Sequence, residues 1–359
     1  MRVALVILRA DASRGGAEKY TLDLAAALAE RGHDATVLDA ASLGAVGVTR
    51  VGEFRAFQRK LAAVRHGGDF DLVHAMLPVG RGMCDIYHPH AGVAAERSRP
   101  LSWWTNPRRR AFARSEREML AAPDAPVTIT LSDYVERSLR RHHPDLPADR
   151  TFRLFNGVDL ARFTPDGPAA DLPGEGPLAL FVGNDFERKG LPTVLIALRD
   201  AAPWRLAVAG HDRRLQRRAA DWTRQLGVAD RVTFLGPRRD APDLYRAADV
   251  LVHASRHDPC SLATLEALAS GLPVIGGAND GAMEVVAEGE HGHVLAASGG
   301  QATADELAGR LRSLADPAPR RRMSEACITL RPQLSWDAHV DRLVGLYKSV
   351  LSRSVGKTT

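Results

Sequence analysis

Twice along this chain a short, wholly apolar run gives way to a polar loop containing glycine and then to a helical period. The first instance is Val3-Ala4-Leu5-Val6-Ile7-Leu8, a loop ending in Gly15-Gly16, and a helix from about Ala17 to Arg31. Tyr20, Leu24 and Leu28 make its apolar face, and Gly32 stands where a C-cap belongs. Ala35–Leu38 reads as the following strand. The second instance is Leu178–Val182, a loop over Gly183–Gly190 and a helix over Leu191–Arg199, with further strands at 205–209, 231–235, 249–253 and 272–275. A strand apolar at every position is buried on both faces. Such strands alternating with helices imply an α/β fold of parallel sheets with helices on both sides.

The 359 residues exceed one typical core, so the two instances predict two domains. Their seam is the Pro/Gly-rich stretch from Thr164 to Pro177. The expected organisation is a first Rossmann-like domain over 1–163, a linker over 164–177 and a second Rossmann-like domain over 178–335. An amphipathic helix over 336–352 follows, whose packing its pattern does not reveal. Two doubly wound domains of this kind face one another across a cleft, with ligands beyond the carboxyl ends of the strands. A composition of 45% hydrophobic and 25% charged residues excludes wholesale disorder. Cys84, Cys260 and Cys327 lie far apart with no CxxC pair, which excludes a disulfide framework and fits a reducing compartment. The uncharged run Ala267–Asn279 is too short to span a bilayer. Val3–Leu8 is cut off by Arg9 with no cleavage site after it, so the expectation is a cytoplasmic chain without a signal peptide. A net charge of +5 favours anionic partners.

The chemistry concentrates in the loops of the second half. Asp258 precedes a helix beginning near Ser261, and Glu266 lies on that helix. Carboxylates so placed bracket a ligand rich in hydroxyls, although a helix-start acid beside a solvated glutamate has the same spacing. Between strand and helix, Arg188-Lys189-Gly190 puts two cations at a helix N-terminus, which is a diphosphate site or a solvated basic loop. Gly15-Gly16 holds the matching place in the first half and allows close backbone approach, or only a tight turn. Other signals carry less. Asp69-Phe70-Asp71 has the DxD form of a metal site but precedes an apolar run where such a site should follow one. Gly356-Lys357-Thr358 lacks the first glycine of a P-loop, and neither opening strand is followed by GxGxxG. His88-Pro89-His90 and His291-Gly292-His293 have no carboxylate or cysteine at useful spacing, so no metal is expected.

Together these residues resemble the retaining GT-B glycosyltransferases of the large family that includes sucrose synthase and bacterial mannosyltransferases. The signposts are Gly15-Gly16-Ala17-Glu18, Asn156-Gly157-Val158-Asp159 with Phe163, Arg188-Lys189-Gly190, and the acid-x7-acid pair Asp258/Glu266. The runs Phe181-Val182-Gly183-Asn184-Asp185-Phe186 and Asp258-Pro259-Cys260-Ser261-Leu262 are most similar to the lipopolysaccharide core glucosyltransferase I branch. The resemblance implies a metal-independent transfer of a hexose, glucose first, from a UDP-linked donor to a glycan or glycolipid. It gives Arg188 and Lys189 the diphosphate, with the Gly16 amide approaching from the other domain. Glu266 would hold the ribose, and Asp258 the donor sugar with backbone amides around Cys260, Ser261 and Leu262. His90 would stand near the anomeric carbon, and the chain end would cross back to the first domain. Asp258 stands where many members carry Glu, and Gly183-Asn184 where many carry Gly-Arg. The rival readings are a catalytically silent GT-B protein that binds nucleotide or glycan, and a GT-B phosphorylase or epimerase.

One stretch points elsewhere. Arg97, Arg99, Arg108, Arg109, Arg110, Arg114 and Arg117 surround Trp103, Trp104 and Phe112, against only Glu116 and Glu118. Basic residues with interfacial tryptophans suit an anionic membrane face, and no nucleic-acid motif accompanies them. The alternative is a basic loop with its tryptophans folded inward.

Overall fold

A computed structural model describes residues 1–11, 16–90, 92–94, 106–212, 215–296 and 299–355. The chain forms two compact units, Met1–Phe155 with His339–Thr359, and Asn156–Ala338.

The first unit holds a six-stranded parallel sheet. Its strands are β1 (Arg2–Val6), β2 (Asp34–Leu38), β3 (Leu72–Ala75), β4 (Ile86–Tyr87), β5 (Val127–Thr130) and β6 (Thr151–Arg153), in the order β2-β1-β3-β4-β5-β6. The order reverses between β1 and β3, the point where ligands enter a sheet of this kind. Val3 to Val6 have no exposure, as strands covered on both faces must. The helix Gly16–Glu30 buries Tyr20, Leu24, Ala27 and Leu28, and Gly32 ends it at φ +75°. Asp71 does not face a metal. Its carboxylate accepts from the Arg2 amide at 2.8 Å and the Arg2 guanidinium at 2.9 Å, fastening the entry to β1.

The last helix, Trp336–Val355, gives its residues from His339 onward to this first unit. Val340, Leu343, Tyr347 and Val350 are buried along one stripe of it. The His339 ring donates from Nδ1 to the Phe155 carbonyl at 2.6 Å, and Arg342 donates to the Arg153 carbonyl at 3.0 Å.

The second unit repeats the plan with β7 (Leu178–Val182), β8 (Arg205–Ala209), β9 (Val232–Gly236), β10 (Val250–His253), β11 (Val274–Gly277) and β12 (Gly292–Leu295). The order is β12-β11-β10-β7-β8-β9, all parallel, so the reversal falls between β7 and β10. Phe181, Phe186, Leu191, Leu195 and Trp204 centre its core, and the Trp204 indole donates to the Leu311 carbonyl at 2.6 Å.

The unit boundary falls between Phe155 and Asn156, ahead of the Pro/Gly-rich stretch in which the sequence places the seam. Arg331 holds Asn156–Phe163 within the second unit through the Phe163 and Leu160 carbonyls, at 2.8 and 3.0 Å. The stretch 164–177 is itself stapled there, by Arg246 to the Pro168 carbonyl at 2.6 Å and by Arg205 to the Gly176 carbonyl at 3.2 Å. Proline and glycine mark irregular backbone, and arginines from elsewhere in the chain decide whether such backbone swings or lies down.

Candidate active site

Strands β7 and β10 are neighbours whose onward connections lead to opposite edges of the sheet, so the loops leaving them meet. Gly190 makes the meeting close. It sits at φ +82°, and a Cβ there would lie 2.1 Å from the Ala254 carbonyl oxygen. The Arg256 amide then donates to the Arg188 carbonyl at 2.8 Å, joining one loop to the other.

This junction gathers Arg188, Lys189, Asp258 and Ser261. Asp258 Oδ2 receives Arg188 Nη1 at 2.9 Å and Lys189 Nζ at 2.7 Å. Lys189 also donates to Ser261 Oγ at 2.8 Å, and Arg188 Nη1 to the His257 carbonyl at 3.1 Å. Lys189 and Asp258 are buried, whereas the Arg188 side chain stays 38% exposed at the rim. Burial alone would raise the Asp258 pKa, but the Lys189 charge, then that of Arg188, outweighs it and holds the carboxyl at about 2. Arg188 is shared between Asp258 and Asp185, whose Oδ2 lies 3.6 Å from its Nε, so the cations here are matched by carboxylates. Lys189 has three protons and two partners here, and Arg188 has N–H groups to spare.

Ser261 caps the helix Leu262–Ala269, its side chain accepting from the Thr264 amide. Its own amide is not open to a ligand, as the resemblance has it: that N–H donates to Asp280 Oδ1 at 3.0 Å. Asp280, in the loop after β11, is fully buried and is absent from the candidate residues above. Its signal was being the first charge after the uncharged run Ala267–Asn279, at the carboxyl end of a parallel strand. Leu262 opens the helix and Cys260 is buried, its thiol pKa raised by burial. Glu266 lies half-buried on the same helix, its Oε2 accepting from the Tyr245 hydroxyl at 2.9 Å; nothing in the sequence marks Tyr245. His253 donates from Nε2 to the Val182 carbonyl at 2.7 Å, which ties the ends of β10 and β7. Burial and then Lys189 keep it neutral, with a pKa of about 3.

His90 and Gly16 belong to the first unit. Gly16 opens the helix Gly16–Glu30, and Gly15 lies outside the described residues. His90 follows β4 in a pack of neutral rings with His88 at 3.9 Å and Tyr20 at 4.2 Å between centroids. His74 stacks on His88 at 5.4 Å, and His339 Nε2 accepts from the Tyr20 hydroxyl at 2.7 Å. Burial, then His339, lowers the His90 pKa to about 3. Both ring nitrogens of His88 and Nε2 of His74 and His90 have no hydrogen-bond partner among the described residues.

The expectation that His293 lacks a carboxylate is corrected: its Nδ1 lies 2.8 Å from Glu288, because the backbone between them turns back on itself. That carboxylate is already committed to Arg310 at 3.0 Å and the Val294 amide at 2.8 Å. Among the described residues no group of three or more His, Cys, Asp or Glu side chains is arranged to hold a metal ion.

Of the basic stretch, Arg97, Arg99, Trp103 and Trp104 lie outside the described residues. The remainder is the helix Pro107–Leu120, with Arg109, Arg110, Arg114 and Arg117 exposed and Arg108 stacked over Phe112 at 5.1 Å. Glu116 points inward and accepts from the Tyr87 hydroxyl at 2.5 Å, so Glu118, paired with Arg114 at 3.0 Å, is the acid left outside. No helix among the described residues is long and apolar enough to cross a membrane.

Twin six-stranded parallel sheets, each with its strand order reversing within it, make this a GT-B fold. The chain belongs to the group 1 glycosyl transferases: that family's model matches residues 166–328, and the model of glycosyltransferase family 4 matches residues 14–162. It is 30% identical over 319 residues to the D-inositol 3-phosphate glycosyltransferase of Thermobifida fusca, covering 79% of this chain and 71% of that one. The protein of that name from Xylanimonas cellulosilytica is 28% identical, over 94% of this chain and 93% of its own. In fold the chain is similar to WaaG, a glycosyltransferase involved in lipopolysaccharide biosynthesis. The TM-score is 0.79 at 20% identity, over 96% of this chain and 99% of that one.

Proposed function

We propose that this glycosyltransferase is a retaining, metal-independent hexosyltransferase that takes glucose from UDP-glucose and delivers it to a glycolipid of the lipopolysaccharide-core type. The observation that supports it is the convergence of Arg188 and Lys189 on one point at the sheet's switch point, with N–H donors to spare. During transfer the bond from the anomeric carbon to the diphosphate oxygen breaks, and the acceptor oxygen bonds to that carbon from the same face. The acceptor's proton passes to the departing phosphate, whose growing charge Arg188 and Lys189 stabilise. Asp258 orients hydroxyls of the sugar, and Glu266, braced by Tyr245, those of the ribose. His90 and Gly16 are assigned to the reaction on family resemblance. A thermal-shift screen of UDP-, GDP- and ADP-linked sugars tests the donor, since a ligand at a hundred times its Kd adds roughly 2.7 kcal/mol. No shift with any of them would refute the reading.

The acceptor has a second reading, favoured by the names of the relatives: an inositol phosphate. Offering 1D-myo-inositol 3-phosphate and a lipopolysaccharide-core acceptor side by side separates the two. For the glycolipid reading, the helix Pro107–Leu120 rests on the anionic inner face of the plasma membrane through Arg109, Arg110 and Arg114, each contributing about 1 kcal/mol before screening. Sedimentation with anionic vesicles should fall with salt and with Arg109→Glu and Arg110→Glu; equal binding to neutral vesicles removes this contact.

A further inference from the structure

Asp280 is the one group of the junction to which family resemblance gives no part. Its Oδ1 accepts from the Ser261 and Ala282 amides, each at 3.0 Å, and its Oδ2 from the Thr264 hydroxyl at 3.0 Å. All three donors are neutral, so this fully buried carboxylate is solvated by dipoles and holds no cation directly. It lies beside Asp258: the two residues form a bridge, with Asp258 N donating to the Asn279 carbonyl and Gly281 N to the Asp258 carbonyl, both at 2.9 Å. Through the Ser261 amide it sets the residue whose hydroxyl takes Lys189. We propose that Asp280 is a positioning residue of the donor site that holds Ser261, and through it Lys189, and that takes up a proton when the donor's diphosphate binds.

The reason is electrostatic. Lys189, 2.7 Å from Asp258, is the cation whose charge also supports Asp280, while Arg188 is shared between Asp258 at 2.9 Å and Asp185 at 3.6 Å. A diphosphate diester brings two negative charges to those same cations and cancels the field that supports a second carboxylate. The charged groups that act on Asp280 are Asp258 on the loop after β10 and Lys189 on the loop after β7; Cys260 and Glu284 share the same neighbourhood. Burial first, and then the Asp258 charge, already push the Asp280 carboxyl up to about 6, against the pull of Lys189. Near neutral pH it therefore needs only the added anion to hold its proton.

This inference rests on the nucleotide-diphosphate sugar reading, and the test separates the two. Asp280→Asn preserves the geometry: the amide oxygen keeps both backbone donors, and its nitrogen donates to the Thr264 hydroxyl in place of accepting from it. Binding of whichever of UDP-glucose, GDP-mannose and ADP-glucose the protein takes is measured by calorimetry in two buffers of different ionisation heat, between pH 6 and 8. The sugar ester is the probe because a free nucleotide diphosphate carries a phosphate that itself titrates near 6. The wild type should take up a fraction of a proton at pH 7 and lose affinity with rising pH, toward tenfold for each unit by which the anion raises the carboxyl. Asp280→Asn should show neither, while His257→Gln keeps both. Asp280→Ala, which unpairs the Ser261 amide, should lower turnover where Asp280→Asn does not. Proton uptake that persists in Asp280→Asn, or that is absent from the wild type while the donor binds, overturns the inference and spares the donor reading. Failure of all three sugars to bind overturns both.

Discussion

At the carboxyl ends of its strands the first unit buries neutral rings, while the second buries charge. His74, His88, His90 and His339 pack with Tyr20 and Tyr347, and burial drives the imidazole pKa values down, that of His339 to about 4. In the second unit Lys189 and Asp258 are buried as a pair at 2.7 Å, with Arg188 2.9 Å from the same carboxylate, and these cations hold the Asp258 carboxyl at about 2. The same architecture thus solves the cost of a buried polar group in two ways, by discharging it or by pairing it. The difference teaches where an anion can go. Neutral imidazoles present dipoles to a ligand, whereas a cluster of paired ions presents charged N–H donors, those of Arg188 at its rim. Four predictions break or sharpen this contrast.

The largest effect belongs to the cations. Arg188→Ala and Lys189→Ala should each lower turnover on the order of 10²–10³-fold while changing donor affinity less, because the departing diphosphate gains charge only in the transition state. Near-normal turnover in both variants, measured under saturating donor, would remove the charged cluster from the chemistry.

Next comes pH. A histidine with a depressed folded pKa stabilises the fold fully above its unfolded value near 6.5 and loses that stability as pH falls toward the folded value. His339 alone should cost the first unit about 2 kcal/mol at pH 5. Asp280 runs the other way: its raised pKa means that the fold loses stability as pH rises through about 6 and regains it below. His253 on β10 is depressed as well, and Asp280 offsets part of the loss it causes, so hydrogen exchange at pH 7 and pH 5 should show the opening of the first unit, with its four depressed imidazoles, accelerating more on acidification than that of β10 and β11. Parallel changes in the two units would erase the contrast.

A smaller, divided effect is expected at the two acids. Glu266→Ala should weaken binding of the bare nucleotide diphosphate by about ten- to a hundredfold, the worth of charge-assisted hydrogen bonds. Asp258→Ala should damage transfer more than nucleotide binding. Equal loss of nucleotide affinity in the two variants, by titration calorimetry, would show that the acids do not divide the donor between them. The smallest effect is on metal: EDTA should change activity less than about twofold, since two fixed cations already do what a divalent ion does at a departing phosphate. Loss in EDTA with recovery in Mg²⁺ would overturn this.

Where local pattern and tertiary burial agree, the sequence was legible to the residue. Leu178–Val182 and Leu191–Arg199 have the expected bounds because one is apolar throughout and the other starts after a glycine that nothing else could replace. Arg188, Lys189 and Asp258 were readable as neighbours since each sits on a loop that follows such a strand. Less was legible in the first unit. Two-residue β4 (Ile86–Tyr87) is a strand only because β3 and β5 flank it, and no periodicity exists over two residues.

By itself, then, the sequence determined the repeated strand-loop-helix units, the parallel sheets and the loops that carry cations and acids, all of which follow from burial patterns a few residues long. Only the tertiary structure decided which carboxylates share those cations. Asp258 and Asp280 belong to different loops, Tyr245 reaches Glu266 from another helix, and Arg205 and Arg246 turn an apparent linker into part of a unit. Such choices depend on distance in space and on the desolvation that comes with it. A string of residue types encodes neither until the sheet order brings the strand ends together.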